Sequence, residues 1–308
     1  MTGLAVVEIL RAGLCDLVVD QGRPGHEHLG VPRGGAADPA ALAAANRLVG
    51  NDVTAAGLEF AASGPALRFP QGGTVAISGS RFAATRSSGT AVKWHETLVL
   101  ECGEILDLGA AREGFRCWLA IRGGLEVPVV MDSRSTFLPA GFGGLQGRAL
   151  RRGDVLRLGE VVAAQRLLRA SPPTGPNDNC LRVVAGPQAS LFEDAGLAAF
   201  FSGPYRVASA SDRRGLRLNG TALSRASTEL PSQGVLPGAV QVPPNGQPII
   251  LGWDGPVTGG YPVIAGVICA DWPRLAQLRP GDEVRFATVE LEAARALAAR
   301  GWEIGEQA

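Results

Sequence analysis

The chain has 308 residues, room for two domains with sizeable cores at roughly 150 residues each. Apolar residues make up 46% and charged residues 19%, and 29 Lys plus Arg balance 29 Asp plus Glu. A disordered or self-repelling chain is excluded, and so is the basic footprint that nucleic acid demands. The 42 glycines and 21 prolines predict many short strands and tight turns rather than long helices.

In chain order, Met1-Thr-Gly-Leu-Ala-Val-Val-Glu8 meets a carboxylate before any signal-type stretch develops. No window approaches the roughly 20 apolar residues of a membrane span, so a soluble protein with no membrane partner is expected. The cysteines Cys15, Cys102, Cys117, Cys180 and Cys269 stand singly, which fits neither a zinc site nor a disulfide framework and implies a reducing cytoplasm. Lys93 is the sole lysine, so no phosphate loop of the G-x-x-x-x-G-K type can be written. Any use of ATP must proceed without a Walker lysine.

Asp38 with Pro39 at N1, apolar Leu42, Ala45, Leu48 and Val49, and Gly50 at the exit predict the first helix. Strands are expected at Thr74–Ile77, Thr97–Leu100, Arg116–Ile121, Cys180–Val184, Ala239–Val242, Pro248–Leu251 and Val263–Cys269. Pro244-Asn-Gly246 supplies a hairpin turn between two of them. Ser190 and Glu193 predict a capping box for a helix to about Phe200, and a third helix is expected over Glu290–Ala299. A polar turn feeding a strand recurs at Glu101-Cys-Gly-Glu104, Arg151-Arg-Gly-Asp154 and Arg279-Pro-Gly-Asp282. The last two, with Ser63-Gly-Pro65 and Ala185-Gly-Pro187, suggest two related halves. Ala170–Asn179 has the composition of a linker, placing domains at 1–172 and 173–308, with elements free to exchange between them. The whole reads as mainly β with a few short helices.

Three segments are candidates for chemistry. The loop Asp20–Asp38 holds charged residues on irregular backbone, where Arg23 or Arg33 can grip a carboxylate or phosphate. The alternative is a surface turn cluster in which Asp38 caps a helix. His26 and His28 have the spacing of a strand-built metal site but lack a third ligand, so no metal is expected. Ser209–Gly220 carries Arg213 and Arg214 ahead of an alternating strand, either for an anion or as a solvated hairpin edge. The densest segment, Leu230–Pro262, places Ser232, Gln233, Gln241, Asp254, Thr258 and Tyr261 at strand ends or glycine-flanked turns, and the Thr258–Tyr261 amides can face an oxyanion. Tight-turn architecture is the alternative reading there. Ser232 has no histidine close in sequence, which argues against a Ser-His-Asp triad.

The run from Ser232-Gln-Gly-Val-Leu-Pro-Gly to Gln-Pro-Ile-Ile-Leu251, with Asp254, Thr258-Gly-Gly-Tyr-Pro262 and Leu275-Ala-Gln-Leu-Arg-Pro-Gly-Asp282, resembles the KipA-type family. Its members are called C-type subunits of 5-oxoprolinase, allophanate hydrolase subunit 2 or biotin-dependent carboxyltransferases. Asp20-Gln-Gly-Arg23, Gly34-Gly-Ala-Ala-Asp38, Ala45–Asn51, Leu58-Glu59, Ile77-Ser-Gly79, Gly143–Gly147 and Arg213–Leu218 fit as well, so the likeness spans nearly the whole chain. It implies two cyclophilin-like β-barrel domains and an incomplete enzyme that works with a KipI-type subunit (the B-type subunit of 5-oxoprolinase, or allophanate hydrolase subunit 1). A LamB/YcsF-type subunit, the A-type one, completes the bacterial 5-oxoprolinase. The implied reaction is ATP-dependent opening of 5-oxoproline to glutamate, with the ATP site shared with or on a partner. The alternatives are an allophanate hydrolase or urea carboxylase-like carboxyltransferase subunit using biotin, or a regulatory KipA-type binding protein.

On that resemblance the catalytic candidates are Gln241, Asp254, Ser232 and Tyr261. The substrate-binding candidates are Asp20, Arg23, Arg213, Gln233, Thr258, Gly259 and Gly260, with Arg23 and Arg213 balancing negative charge. Residues of the first forty positions and of the stretch after Leu230 are then expected to meet around one anion-friendly hollow. Two departures stand out. Gln233 replaces a frequent family histidine, and Asp212 replaces an asparagine before Arg213, which should make that edge more negative.

Overall fold

A computed structural model describes residues 5–161, 166–172, 179–224, 230–299 and 301–307. These group into two compact units. One takes in the described residues of Met1–Arg23, Gly34–Pro173 and Gly301–Ala308, the other those of Pro24–Arg33 and Thr174–Arg300. Most of the expected linker, with its domain boundary, lies outside the described residues. Ala170 and Ser171 are not linker, since they end the strand Leu168–Ser171, which pairs antiparallel with Glu303–Glu306.

The first unit is two antiparallel sheets around one core. The six-stranded sheet runs Leu125–Glu126, Val155–Leu158, Val6–Arg11, Ala66–Phe69, Glu104–Asp107, Thr85–Arg86, and the five-stranded sheet runs Cys15–Val19, Gly57–Ala61, Arg116–Ile121, Gly73–Gly79, Thr97–Leu100. Val7, Ile9, Leu67 and Leu106 from the former meet Val18, Leu58, Phe60, Ile77 and Leu119 from the latter. The far face of the five-stranded sheet is covered by the helix Pro39–Leu48, whose Ala45 and Leu48 pack with Ala76 and Ala120. Every residue of Arg116–Ile121 is therefore buried, which explains why that strand reads as an unbroken run rather than an alternation. Asp38 caps the helix as expected, accepting from Ala41 N at 3.0 Å.

In the second unit seven strands close a barrel in the order Cys180–Ala185, Val263–Val267, Ala239–Gln241, Ile249–Leu251, Gly215–Asn219, Tyr205–Val207, Glu283–Thr288. The ring shuts through the parallel pairing of Cys180–Ala185 with Glu283–Thr288. Leu181, Val183, Leu218, Val240, Ile250, Ile264 and Val284 fill it. The helix Asp194–Ser202 lays Phe200 on Phe286, ring centroids 4.4 Å apart. The Ser190–Glu193 capping box is a correction. Ser190 lies in the 3-10 turn Ala189–Leu191, and the cap position is Glu193, which makes no side-chain capping bond. The last helix runs Leu291–Ala298, and a short one at Trp272–Gln277 escaped the sequence reading because its six residues are too few to show a period.

The three recurring polar turns share one mechanism. Glu104 accepts from Glu101 N (2.8 Å), Asp154 from Arg151 N (2.7 Å) and Asp282 from Arg279 N (3.0 Å). Between them Gly103, Gly153 and Gly281 adopt φ of 77°, 90° and 95°, a conformation that favours glycine. Among the described residues no helix is long and apolar enough to cross a membrane.

One buried acid sits in the first core. Asp16 shares a cross-strand row with Phe60 and Cys117, is 1% exposed, and accepts from Gly13 N at 2.5 Å. Burial pushes its pKa up to about 7, against the lowering effects of the Gly13 amide and Arg11. A folded-state value above the unfolded one means the folded form holds the proton more tightly. The stabilisation is complete below about pH 4 and is lost as pH rises through about 7. Replacing Asp16 by Asn should therefore raise Tm relative to the parent more at pH 8 than at pH 5. Parallel thermal melts check this, and a difference independent of pH would contradict it.

Candidate functional site

Sequence-selected residues form one cluster in the first unit and two in the second, Arg213 with Asp254 and Gln241 with Gly259, Tyr261 and the Gln233 strand. In the first, Asp20 follows the strand Cys15–Val19 and turns inward, 7% exposed. Its carboxylate accepts from Gly22 N (2.8 Å), Ser133 Oγ (2.7 Å), Ser135 Oγ (2.5 Å) and Arg134 N (2.6 Å). Arg23 is wholly buried. Its guanidinium lies 5.0 Å from the centroid of the Phe142 ring and donates to Ser135 O at 2.5 Å. The segment that encloses it relies on Gly143 and Gly144, with φ of 71° and 53°. A Cβ on either would collide with Ser135 O or Thr136. The expectation that Arg23 grips an anion thus meets a guanidinium already wrapped in protein. Asp20 and Arg23 pin the Val130–Gly147 loop.

Asp38 and Glu59 are further buried acids of this unit. Glu59 accepts from Ala37 N (2.7 Å) and Trp118 Nε1 (2.9 Å). Burial raises the Asp38 carboxyl to about 6, opposed by the helix amides of Ala41 and Ala40 and reinforced by Glu59.

In the second unit the turn Asp212–Gly215 packs on Gly252–Gly255, through Gly252 N to Arg214 O (2.9 Å) and Asp254 N to Arg213 O (3.2 Å). A Cβ at Gly252 would run into the Arg213 carbonyl, so glycine there permits the contact. The approach sets Arg213 and Asp254 in a two-point ion pair, Nε to Oδ2 at 2.8 Å and Nη2 to Oδ1 at 3.2 Å. Asp212, expected to add negative charge, instead bonds Arg214 through its amide (2.8 Å) and Nε (3.2 Å) on the exposed side. Arg33 belongs to this unit, with its guanidinium 5.3 Å over the Trp253 ring.

Gln241, 4% exposed, ends the strand Ala239–Gln241 with its Nε2 directed at Tyr261 O (3.4 Å) and against Gly259, where a Cβ would come within 2.7 Å of it. Thr258–Gly259 is a strand paired with Gln233–Gly234, so these residues lie in an extended ladder rather than an open amide cradle. Tyr261 is 44% exposed, and Ser232 is also exposed. His26 precedes the 3-10 turn Glu27–Leu29 and His28 lies within it, and no group of three His, Cys, Asp or Glu side chains fit for a metal occurs among the described residues. Sequence reasoning overlooked Ser133, Ser135 and Gln188. The polar run Asp132–Thr136 was a usable signal for the serines, whereas Gln188 gave none.

Over residues 29–288 the chain matches the carboxyltransferase domain, subdomains A and B, and it belongs to that family. It is 40% identical over 297 residues to the C-type subunit of 5-oxoprolinase from Escherichia coli K12, covering 94% of this chain and 93% of that one. To urea amidolyase of Lachancea kluyveri it is 32% identical over 316 residues, 94% of this chain but 17% of that one. The crystal structure of K. lactis urea amidolyase matches it with a TM-score of 0.87 at 30% identity, covering 96% of this chain and 19% of that chain.

The ion pair can be tested on its own. Asp254 and Arg213 have side chains 1% and 10% exposed, so Asp254→Ala leaves a nearly buried guanidinium without its carboxylate and should destabilise the protein by about 3–5 kcal/mol. The double variant with Arg213→Ala should lose less than the sum of the two single changes. Denaturant titration of the four proteins measures both, and strict additivity would show that the pair is not coupled.

Proposed function

We propose that this chain is the C-type subunit of a 5-oxoprolinase complex that converts 5-oxoproline, ATP and water to glutamate, ADP and phosphate. The observation that carries the reading is the 40% identity to such a C-type subunit over 93% of that protein's own length, a match from end to end rather than to a segment of a larger chain. A KipI-type subunit and a LamB/YcsF-type subunit are the partners, and the ATP site is shared with or carried by one of them.

A lactam carbonyl is a poor electrophile, and transfer of a phosphoryl group to its oxygen makes the carbon open to water. The needs of such a site are donors aimed at an oxygen that gains charge and a fixed cation nearby. In this reading the Gln241 amide is the donor and the Arg213 guanidinium, held by Asp254, is the cation. Ser232, Gln233, Thr258, Gly259, Gly260 and Tyr261 form the adjoining surface on which substrate is held. Asp20 and Arg23 hold a loop of the first unit.

Carboxyl transfer is the second reading, favoured by the urea amidolyase relative. It requires a biotin carrier from another chain, because Lys93 sits in Val-Lys-Trp and offers no carrier motif. Avidin stops such an assembly and leaves a 5-oxoprolinase active. In the reconstituted complex, Gln241→Ala should lower kcat for 5-oxoproline by about 10²–10³, the loss typical of one well-aimed donor. Phosphate release coupled to glutamate formation is the measurement, and near-normal turnover by a folded variant would remove Gln241 from the chemistry.

A further inference from the structure

Gln188 follows the strand Cys180–Ala185 and clamps Val263 at two points, its backbone N donating to Val263 O at 3.2 Å and its Oε1 accepting from Val263 N at 3.0 Å. Gly186 makes the clamp possible, since a Cβ there would run into the Val263 carbonyl. The Val263 amide can only donate, so the oxygen of the Gln188 side chain faces it and the Nε2 points the other way. That Nε2 donates to Gln233 Oε1 at 3.0 Å. With its oxygen committed to Gln188, Gln233 turns its Nε2 away from that contact, and this nitrogen is shielded from bulk water and meets no acceptor within the described residues.

An enclosed donor left unpaired is unfavourable and calls for an explanation. Here it stands in the ribbon Gln233–Gly234 with Thr258–Gly259. Ser232, Gly234, Thr258 and Tyr261 around it are exposed, and the Gln241 amide packs on Gly259, the cross-strand partner of Gln233. We propose that Gln188 is a positioning residue that locks Gln233 as a fixed, non-titrating hydrogen-bond donor for a carbonyl or carboxylate oxygen of the substrate. The chain Val263 to Gln188 to Gln233 sets the polarity of the site. It accepts an oxygen acceptor and rejects a ligand that offers a donor at that point. This deepens the 5-oxoprolinase reading and rests on it only for the identity of the substrate.

The polarity can be inverted without touching the substrate. In Gln188→Glu both side-chain oxygens only accept, so Gln233 turns its Nε2 towards residue 188 and presents its oxygen to the ligand. Gln188→Met only releases Gln233 to rotate. In the assembled enzyme, Gln188→Glu and Gln233→Glu should raise KM for 5-oxoproline about ten- to a hundredfold, and Gln188→Met by less than about fivefold. A KM for Gln188→Glu no higher than that for Gln188→Met, or an unchanged KM for Gln233→Glu, overturns the proposal. Inhibition by 2-pyrrolidinone, which lacks the carboxylate, distinguishes the oxygen being read. A parallel loss of its binding in the glutamate variants assigns the lactam carbonyl, and unchanged inhibition assigns the carboxylate.

If the wild-type complex does not consume 5-oxoproline, the functional reading fails separately, and the same variants are ranked on the substrate that the complex does accept. A test without ligand stands beside these. Gln233→Met leaves the number of unpaired donors at one, moving it to Gln188, so the free chain should melt within about 2 °C of wild type. A fall beyond about 5 °C would make the Gln233 amide a structural member and overturn the assignment.

Discussion

A carboxylate taken out of water must have its charge met in place, and that requirement organises the second unit's candidate site. Asp254 is 3% exposed and is matched by the flat, two-pronged guanidinium of Arg213, a geometry lysine cannot reproduce. Reaching that geometry depends on bare backbone at Gly252, so two turns distant in sequence are forced into register. Asp20 in the first unit meets the same requirement differently, with two serine hydroxyls and two amides. A set of neutral donors of this kind fixes a loop, while the ion pair ties two distant turns together.

The separation of roles follows from that difference. Arg23 has no exposed surface and is held by a carbonyl and a ring, so its contribution is to the shape of the Val130–Gly147 loop. Arg213, nearly buried as well, is held by Asp254. The amides of Gln188, Gln233 and Gln241 add direction without charge, so the polarity they impose does not change with pH.

Strands, helices and the Pro244–Gly246 hairpin were legible because their signals are local. A run such as Arg116–Ile121 or a cap such as Asp38 states its structure in a few adjacent residues. The Ser190–Glu193 pattern misled because a 3-10 turn occupies Ser190 before the helix begins. Within the site, residue types pointed to Arg213, Gln241 and Asp254, yet the burial of Arg23 could not be read from Asp20-Gln-Gly-Arg23. It depends on serines and glycines more than a hundred residues away. Gln188 was hidden for the same reason, since its meaning lies in hydrogen bonds to Val263 and Gln233, both distant in sequence.

The strand Glu303–Glu306 completes the first unit by lying along Leu168–Ser171, and Gln307 reaches back to Leu168 across 139 positions. Trp302, next to it, stacks on His95 at 5.1 Å. A ribosome that has finished everything up to Ser171 has therefore not yet made the piece that covers this edge. Until the residues after Gly301 emerge, the Thr97 and Leu168 carbonyls lack the Gln307 amide that caps them. Assembly of the N-terminal half is thus tied to synthesis of the barrel that follows it, so products that stop short of Glu303 leave that edge open.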